Sequence, residues 1–179
     1  MKTTYTTFTN LLVFAAAAVL LSVSCDRPTT YRFSPDGVTL AIPADLDLDT
    51  VNIRELKAPS IAEKVTTLVV KGAHIDDDRL FDLREKGGWE RLLPNLHSLS
   101  LPDFNETIPF ECFLETEWLQ HFSSPRATAA ERGAFSNCYL LTTANLPEVT
   151  FIGPEAFRGC EDLIAAYFPI ATTIGESAF

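Results

Sequence analysis

Four cysteines, three histidines and two clusters of aspartate are the residues of this chain whose types could do chemistry. The histidines, His74, His97 and His121, fall singly on different expected elements. None has a cysteine or a second histidine at ligand spacing, so a zinc site is not expected. Asp45-Leu46-Asp47-Leu48-Asp49 begins like a calcium loop. The match fails at Thr50, where the turn needs glycine, and at Leu56, where a bidentate glutamate should close the site. A half-buried strand or a helix start suits that alternation better. Asp76-Asp77-Asp78 precedes Leu80, Phe81 and Leu83, with Lys86-Gly87-Gly88 behind them. These are helix-boundary signals, so the triplet reads as a cap and not a ligand cluster. No glycine-rich phosphate loop, Gly-x-Ser-x-Gly or His-Glu-x-x-His occurs. The expectation is a protein that is not an enzyme, with no cofactor, no metal and no catalytic residue.

Cys25 carries a different chemistry. Lys2 and the apolar run Leu11 to Val23 form a segment too short to span a bilayer comfortably but suited to secretion. It ends in Leu21-Ser22-Val23-Ser24-Cys25, which resembles a bacterial lipobox and implies cleavage before Cys25 and acylation of that residue. The alternative is an ordinary signal peptide with a cysteine near its cut site. Several acyl chains, each buried CH₂ contributing ~0.8 kcal/mol, would hold the protein stably at a membrane. Residues 1–24 are thus read as a signal peptide and 25–37 as a lipid-anchored tether, closed by the turn signal Ser34-Pro35-Asp36-Gly37.

The elements that must follow are set by a spacing. Phe135, Phe157 and Phe179 lie 22 residues apart, and so do Cys138/Cys160, Leu141/Leu163, Ala144/Ala166, Pro147/Pro169, Thr150/Thr172, Ile152/Ile174 and Gly153/Gly175. Retained positions are apolar, small or turn-forming, and replaced ones are mostly polar or variable. A solenoid coil needs that division, because it buries its apolar face only on the same residues of the next coil. The expected core is Phe135, Cys138, Leu141, Leu146, Ile152, Phe157, Cys160, Leu163, Phe168, Ile174 and Phe179, with strands near 141–146 and 163–168. Stacked Cys138 and Cys160 would sit within disulfide range, ~4.8 Å apart on adjacent strands, but pointing the same way. Buried thiols are the preferred reading. Cys112 has no evident partner.

The pattern Cys-x-x-Leu-x-x-x-x-(Leu/Phe)-Pro-x-(Val/Ala)-Thr-x-Ile-Gly-x-x-Ala-Phe resembles the bacterial BspA-like leucine-rich repeat, the treponemal class. Two nearly full copies cover the last quarter of the chain. Leu96 to Pro102 and Val65 to Val70 are weaker upstream fits. The resemblance implies an α/β-type solenoid, a short leucine-rich-repeat array with an N-terminal capping segment. It also implies a surface lipoprotein of the cell envelope, held by its lipid anchor only at an outer membrane and facing the periplasm or the outside. The leading function is an adhesion or binding module for a protein ligand, such as a host matrix protein or another cell-surface protein. The alternatives are a glycan-binding lipoprotein that assists carbohydrate uptake, with Trp118, Tyr139 and Tyr167 stacking on sugars, or a truncated repeat protein without its own ligand. An array ending in mid-repeat at Phe179 would leave strand edges and apolar surface uncovered.

Residues 38–95 are expected to form the strand-and-helix capping region, and 96–179 the repeats. Between 103 and 131 the register breaks, and either a degenerate coil or an insertion lies there. Leu114, Trp118 and Phe122 fall at helical spacing, which predicts a short amphipathic helix, with Trp118 and Phe122 packed down on the solenoid as the favoured role. Composition, 46% hydrophobic and 21% charged, is that of a globular protein. A formal charge of −10 without a basic cluster argues against nucleic acid as a partner.

Overall fold

The computed structural model describes residues 31–43, 62–84 and 93–179. The signal segment, Cys25, the Asp45–Asp49 stretch and Lys86 to Gly88 lie outside the described residues. Short strands recur along the rest: β1 (Arg32–Phe33), β2 (Thr39–Pro43), β3 (Thr67–Lys71), β4 (Ser98–Ser100), β5 (Thr107–Ile108), β6 (His121–Ser123), β7 (Ala129–Ala130), β8 (Thr143–Asn145), β9 (Phe151–Ile152), β10 (Ala165–Tyr167) and β11 (Thr173–Ile174). A helix, α1 (Asp77–Arg84), follows β3. Its first turn carries Asp77 and Asp78 and its last turn Arg84, the charge order that the helix dipole favours. Asp76 sits just ahead of it, and the Leu80 amide donates to the Asp76 carbonyl at 3.0 Å.

Two sheets run the length of the array. The first is ordered β1-β2-β3-β4-β6-β8-β10 and the second β11-β9-β7-β5. Every pairing is parallel except that of β1 with β2. Successive windings therefore lie on one another, in the α/β-type repeat arrangement the spacing predicts. In the first sheet Leu99, Phe122, Ala144 and Ala166 share a column. Pro102, Pro125, Pro147 and Pro169 each follow the last residue of a strand in this sheet by two positions. The residue between still donates to the next coil, as Leu146 does to the Tyr167 carbonyl at 2.8 Å. Proline has no N–H to give, so the ladder stops there and the strands stay short.

A third ladder runs along the corner of each coil. The amides of Phe113, Phe135 and Phe157 donate to the carbonyls of Ala134, Ala156 and Ala178 at 2.7–2.8 Å. Flanking them are two columns of left-handed residues. Glu111, Gly133, Glu155 and Ser177 have φ between 50° and 64°, and Glu115, Asn137 and Gly159 between 57° and 73°. Left-handed backbone is costly for any residue but glycine. It persists because it turns those N–H groups toward the next coil: Glu111 reaches the Arg132 carbonyl at 3.1 Å and Asn137 the Arg158 carbonyl at 2.7 Å.

Inside the corner the phenylalanine rings stack. Phe113–Phe135, Phe135–Phe157 and Phe157–Phe179 centroids lie 5.3, 5.0 and 5.5 Å apart, with planes within 14° of parallel. Phe113 extends the expected column one coil upstream. Residues 103–131 hold no helix. They form a full winding with β5, β6 and β7 in register, so Leu96, Leu119 and Leu141 are one column with steps of 23 and 22 residues. The degenerate coil, not the insertion, is what the register break conceals. Its odd composition repacks the interior: Phe122 takes the place of Ala144 and touches Phe113 and Phe135, while small Ser124 takes that of Leu146. The Ser124 hydroxyl is buried and donates to the Leu101 carbonyl at 3.3 Å.

Most of the expected core is buried, Phe135, Cys138, Leu141, Leu146, Ile152 and Phe157 among it. Cys160, Leu163 and Phe168 are half-buried. Ile174 and Phe179, on the last coil described, keep their columns but stand 55% and 59% exposed. Gly153 is required by a close approach: a Cβ there would lie 2.5 Å from the Arg132 amide nitrogen. Gly153→Ala should cost about 1–3 kcal/mol through overpacking, and Phe157→Ala about 3–5 kcal/mol through lost stacking and burial. Urea unfolding of each variant against the parent checks both; midpoints equal to the parent's would contradict the stacking.

Candidate functional site

The outer face of the first sheet is the surface the fold presents most regularly. Alternation along each strand sends the middle residue inward and its neighbours out. The outward columns read Thr67, Ser98, His121, Thr143, Ala165 and Val69, Ser100, Ser123, Asn145, Tyr167. β4, β6, β8 and β10 place no aspartate, glutamate, lysine or arginine there, in a chain with a formal charge of −10. The face is neutral along these four strands and rich in hydroxyls.

Its side chains are tied across the coils. Asn145 Nδ2 donates to Ser123 Oγ at 3.2 Å. His121 Nδ1 lies 2.9 Å from Thr143 Oγ1, and His97 Nδ1 lies 2.9 Å from Ser98 Oγ. At the entry to each strand one carbonyl accepts from two successive amides of the next coil. That of His97 accepts from Gln120 and His121, and that of Gln120 from Thr142 and Thr143. The Thr142 hydroxyl adds a third bond to the Gln120 carbonyl at 2.8 Å. These doubled contacts hold the rim of the face rigid.

The aromatic residues singled out for binding do not converge. Tyr167 stands outward on β10 and is 57% exposed. Tyr139 is exposed and Trp118 half-buried against the core, both on the stretches that lead into strands of the first sheet and not on its outer face. Trp118 thus packs down on the solenoid. The histidines, expected to be scattered, are not all so: His97 and His121 meet with ring centroids 5.6 Å apart. Their separation of 24 residues differs from the repeat length, which hid the pairing from a search at fixed offset.

The thiols face inward. Cys138 Sγ donates to the Phe113 carbonyl at 2.9 Å and Cys160 Sγ to the Phe135 carbonyl at 3.1 Å, and both cysteines are free. Thr116, one coil earlier in that column, donates its hydroxyl to the Phe113 carbonyl of its own coil at 2.8 Å. Burial pushes the Cys138 thiol up to about 12 and that of Cys160 to about 11, and raises Cys112 as well. Groups of three or more histidine, cysteine or carboxylate side chains placed to hold a metal are absent among the described residues. No helix among them is long and apolar enough to cross a membrane.

Residues 91–179 match the family described as "BspA type Leucine rich repeat region (6 copies)". The repeat region is of the BspA type. Four windings, β4/β5 to β10/β11, lie within the matched span. No curated protein and no solved structure matches the chain. BspA-type repeats suggest a protein-interaction module, and their family is typically non-enzymatic.

Two measurements check the site's chemistry. Alkylation of the folded protein, followed by peptide mass, should label half-buried Cys160 before buried Cys138 and Cys112, because only the thiolate reacts; Cys112 labelling first would contradict the burial. The second concerns His74, whose Nδ1 donates to Glu106 Oε1 at 2.9 Å. That hydrogen bond, then the carboxylate's charge, raises the His74 pKa above its ordinary 6.5. The stabilisation is complete below that ordinary value and is lost as pH rises through the higher folded one. Glu106→Gln should move the His74 midpoint down in an NMR titration, and an unchanged midpoint would count against the pair.

Proposed function

We propose that the protein is a lipid-anchored cell-envelope module that uses the outer face of its first sheet to bind a protein ligand, without catalysis. The observation that carries the reading is that face itself: six parallel strands in one register with hydroxyl and amide groups repeated at coil spacing. Such groups donate and accept without the desolvation that charged side chains demand, which suits close contact with a polypeptide surface. Acylation of Cys25 would hold the module at the outer membrane through the residues ahead of β1, so the tether is shorter than 25–37, and β1 joins residues 38–95 in capping the array where β1 and β2 end the sheet. The treponemal-class pattern and the lipobox in the sequence support this placement. An adhesion role, toward a host matrix protein or another surface protein, follows from the same pattern.

Membrane association should be lost in Cys25→Ala, and protease added to intact cells should remove the wild-type domain if it faces outward. Retained association in that variant would overturn the anchor. For the ligand, the full chain is screened against matrix proteins and a glycan array, with Ser123→Arg/Asn145→Arg as control. Binding to a protein that falls about tenfold or more in the double variant, at unchanged thermal midpoint, is the expected result. Binding to sugars alone would reverse it in favour of glycan capture.

A further inference from the structure

We propose that His97 and His121 form a two-imidazole site for a divalent transition-metal ion of the nickel-to-zinc range, at the rim of the neutral face. The fold brings the two together through the backbone: the His121 amide donates to the His97 carbonyl at 3.1 Å, which sets the two residues on neighbouring coils. Their ring centroids are 5.6 Å apart and their planes cross at 78°. Two imidazoles sharing one ion at a metal–nitrogen bond of about 2.1 Å and a tetrahedral angle have centroids roughly 5.2 Å apart. The observed centroid separation is close to that value.

The second observation is which nitrogen is left over. The single hydroxyl proton of Thr142 goes to the Gln120 carbonyl at 2.8 Å. Its oxygen can therefore only accept in the 3.1 Å contact with His121 Nδ1, so the proton of that contact belongs to the ring. Thr143 Oγ1 lies at 2.9 Å from the same nitrogen. A neutral His121 with its proton on Nδ1 carries its lone pair on Nε2, the form in which a ligating histidine is held when its other nitrogen donates to a neighbouring oxygen. His97 Nδ1 lies 2.9 Å from Ser98 Oγ, a contact that leaves its Nε2 unused. Neither Nε2 has a hydrogen-bond partner among the described residues. Imidazole suits zinc and nickel, and with two protein donors the remaining positions stay open to water or to a donor from outside the chain. The site depends neither on the lipid anchor nor on a protein ligand.

The test is a titration of the full chain with nickel chloride, followed by NMR of the imidazole protons. The chain holds three histidines, so the signals are few. Paramagnetic broadening of His97 and His121 together, with His74 sharp, is expected. His97→Ala and His121→Ala should each weaken binding about tenfold or more at unchanged thermal midpoint, His74→Ala should leave it intact, and zinc chloride should compete. Broadening of His74 alone, broadening of no histidine at millimolar nickel, or binding that survives both alanine variants would overturn the site.

Discussion

The stacking of one coil on the next at the corner is the constraint that the rest of the array obeys. Parallel phenylalanine rings about 5 Å apart set the rise between coils, and that rise matches the spacing of parallel strands, about 4.8 Å. Rings and ladders can therefore share one repeat without strain between them. The corner also demands backbone that few residues accept. Glu111, Glu115, Asn137, Glu155 and Ser177 all take left-handed φ without being glycine. The amides of Glu111, Glu115, Asn137 and Glu155 are committed to the next coil, so hydrogen bonds offset the conformational cost there.

With the corner in place, the interior tolerates exchange. The coil of β6 and β7 replaces an alanine–leucine pair by Phe122 and Ser124, keeping the filled volume near that of its neighbours while shifting it toward the ring column. Volume-conserving repacking of this sort is what close-packed interiors accept best. The same economy applies to polar atoms. Thr116, Cys138 and Cys160 occupy one column and each gives its proton to a phenylalanine carbonyl, the threonine within its own coil and the cysteines across to the preceding one. This explains why the cysteines recur with the repeat without pairing with each other.

A surface this regular inherits its chemistry from the columns. Where the strands begin, carbonyls that accept two amides bring neighbouring columns into contact, and residues one position out of register can meet. His97 and His121 do so. Away from the face, charge is arranged more locally: Glu155 bridges Arg132 of the preceding coil and Arg158 at 2.8 and 3.0 Å, and these bonds, that to Arg132 foremost, hold its carboxyl below its ordinary range. Exposed pairs of this kind contribute little to stability.

How much could be read beforehand divides along a physical line. The spacing of Phe135, Phe157 and Phe179 sufficed for the solenoid, because a stacked coil leaves identical demands at identical offsets. The strands near Ala144 and Ala166 follow from the same logic, and those near Leu68 and Leu99 from β-prone and alternating residues. What a single offset cannot convey is a coil whose composition changes at constant shape. Leu114, Trp118 and Phe122 imitate a helix in one dimension, while in three dimensions Phe122 is a strand residue facing Phe113 and Phe135. Nor can it convey contacts between columns, which depend on how far the backbone shifts as one coil settles on another. Repeat length and buried face are thus properties of the linear chain, since each residue's demand is local. The hydroxyl face and the histidine pair belong to the assembled stack, where separation along the chain no longer measures distance.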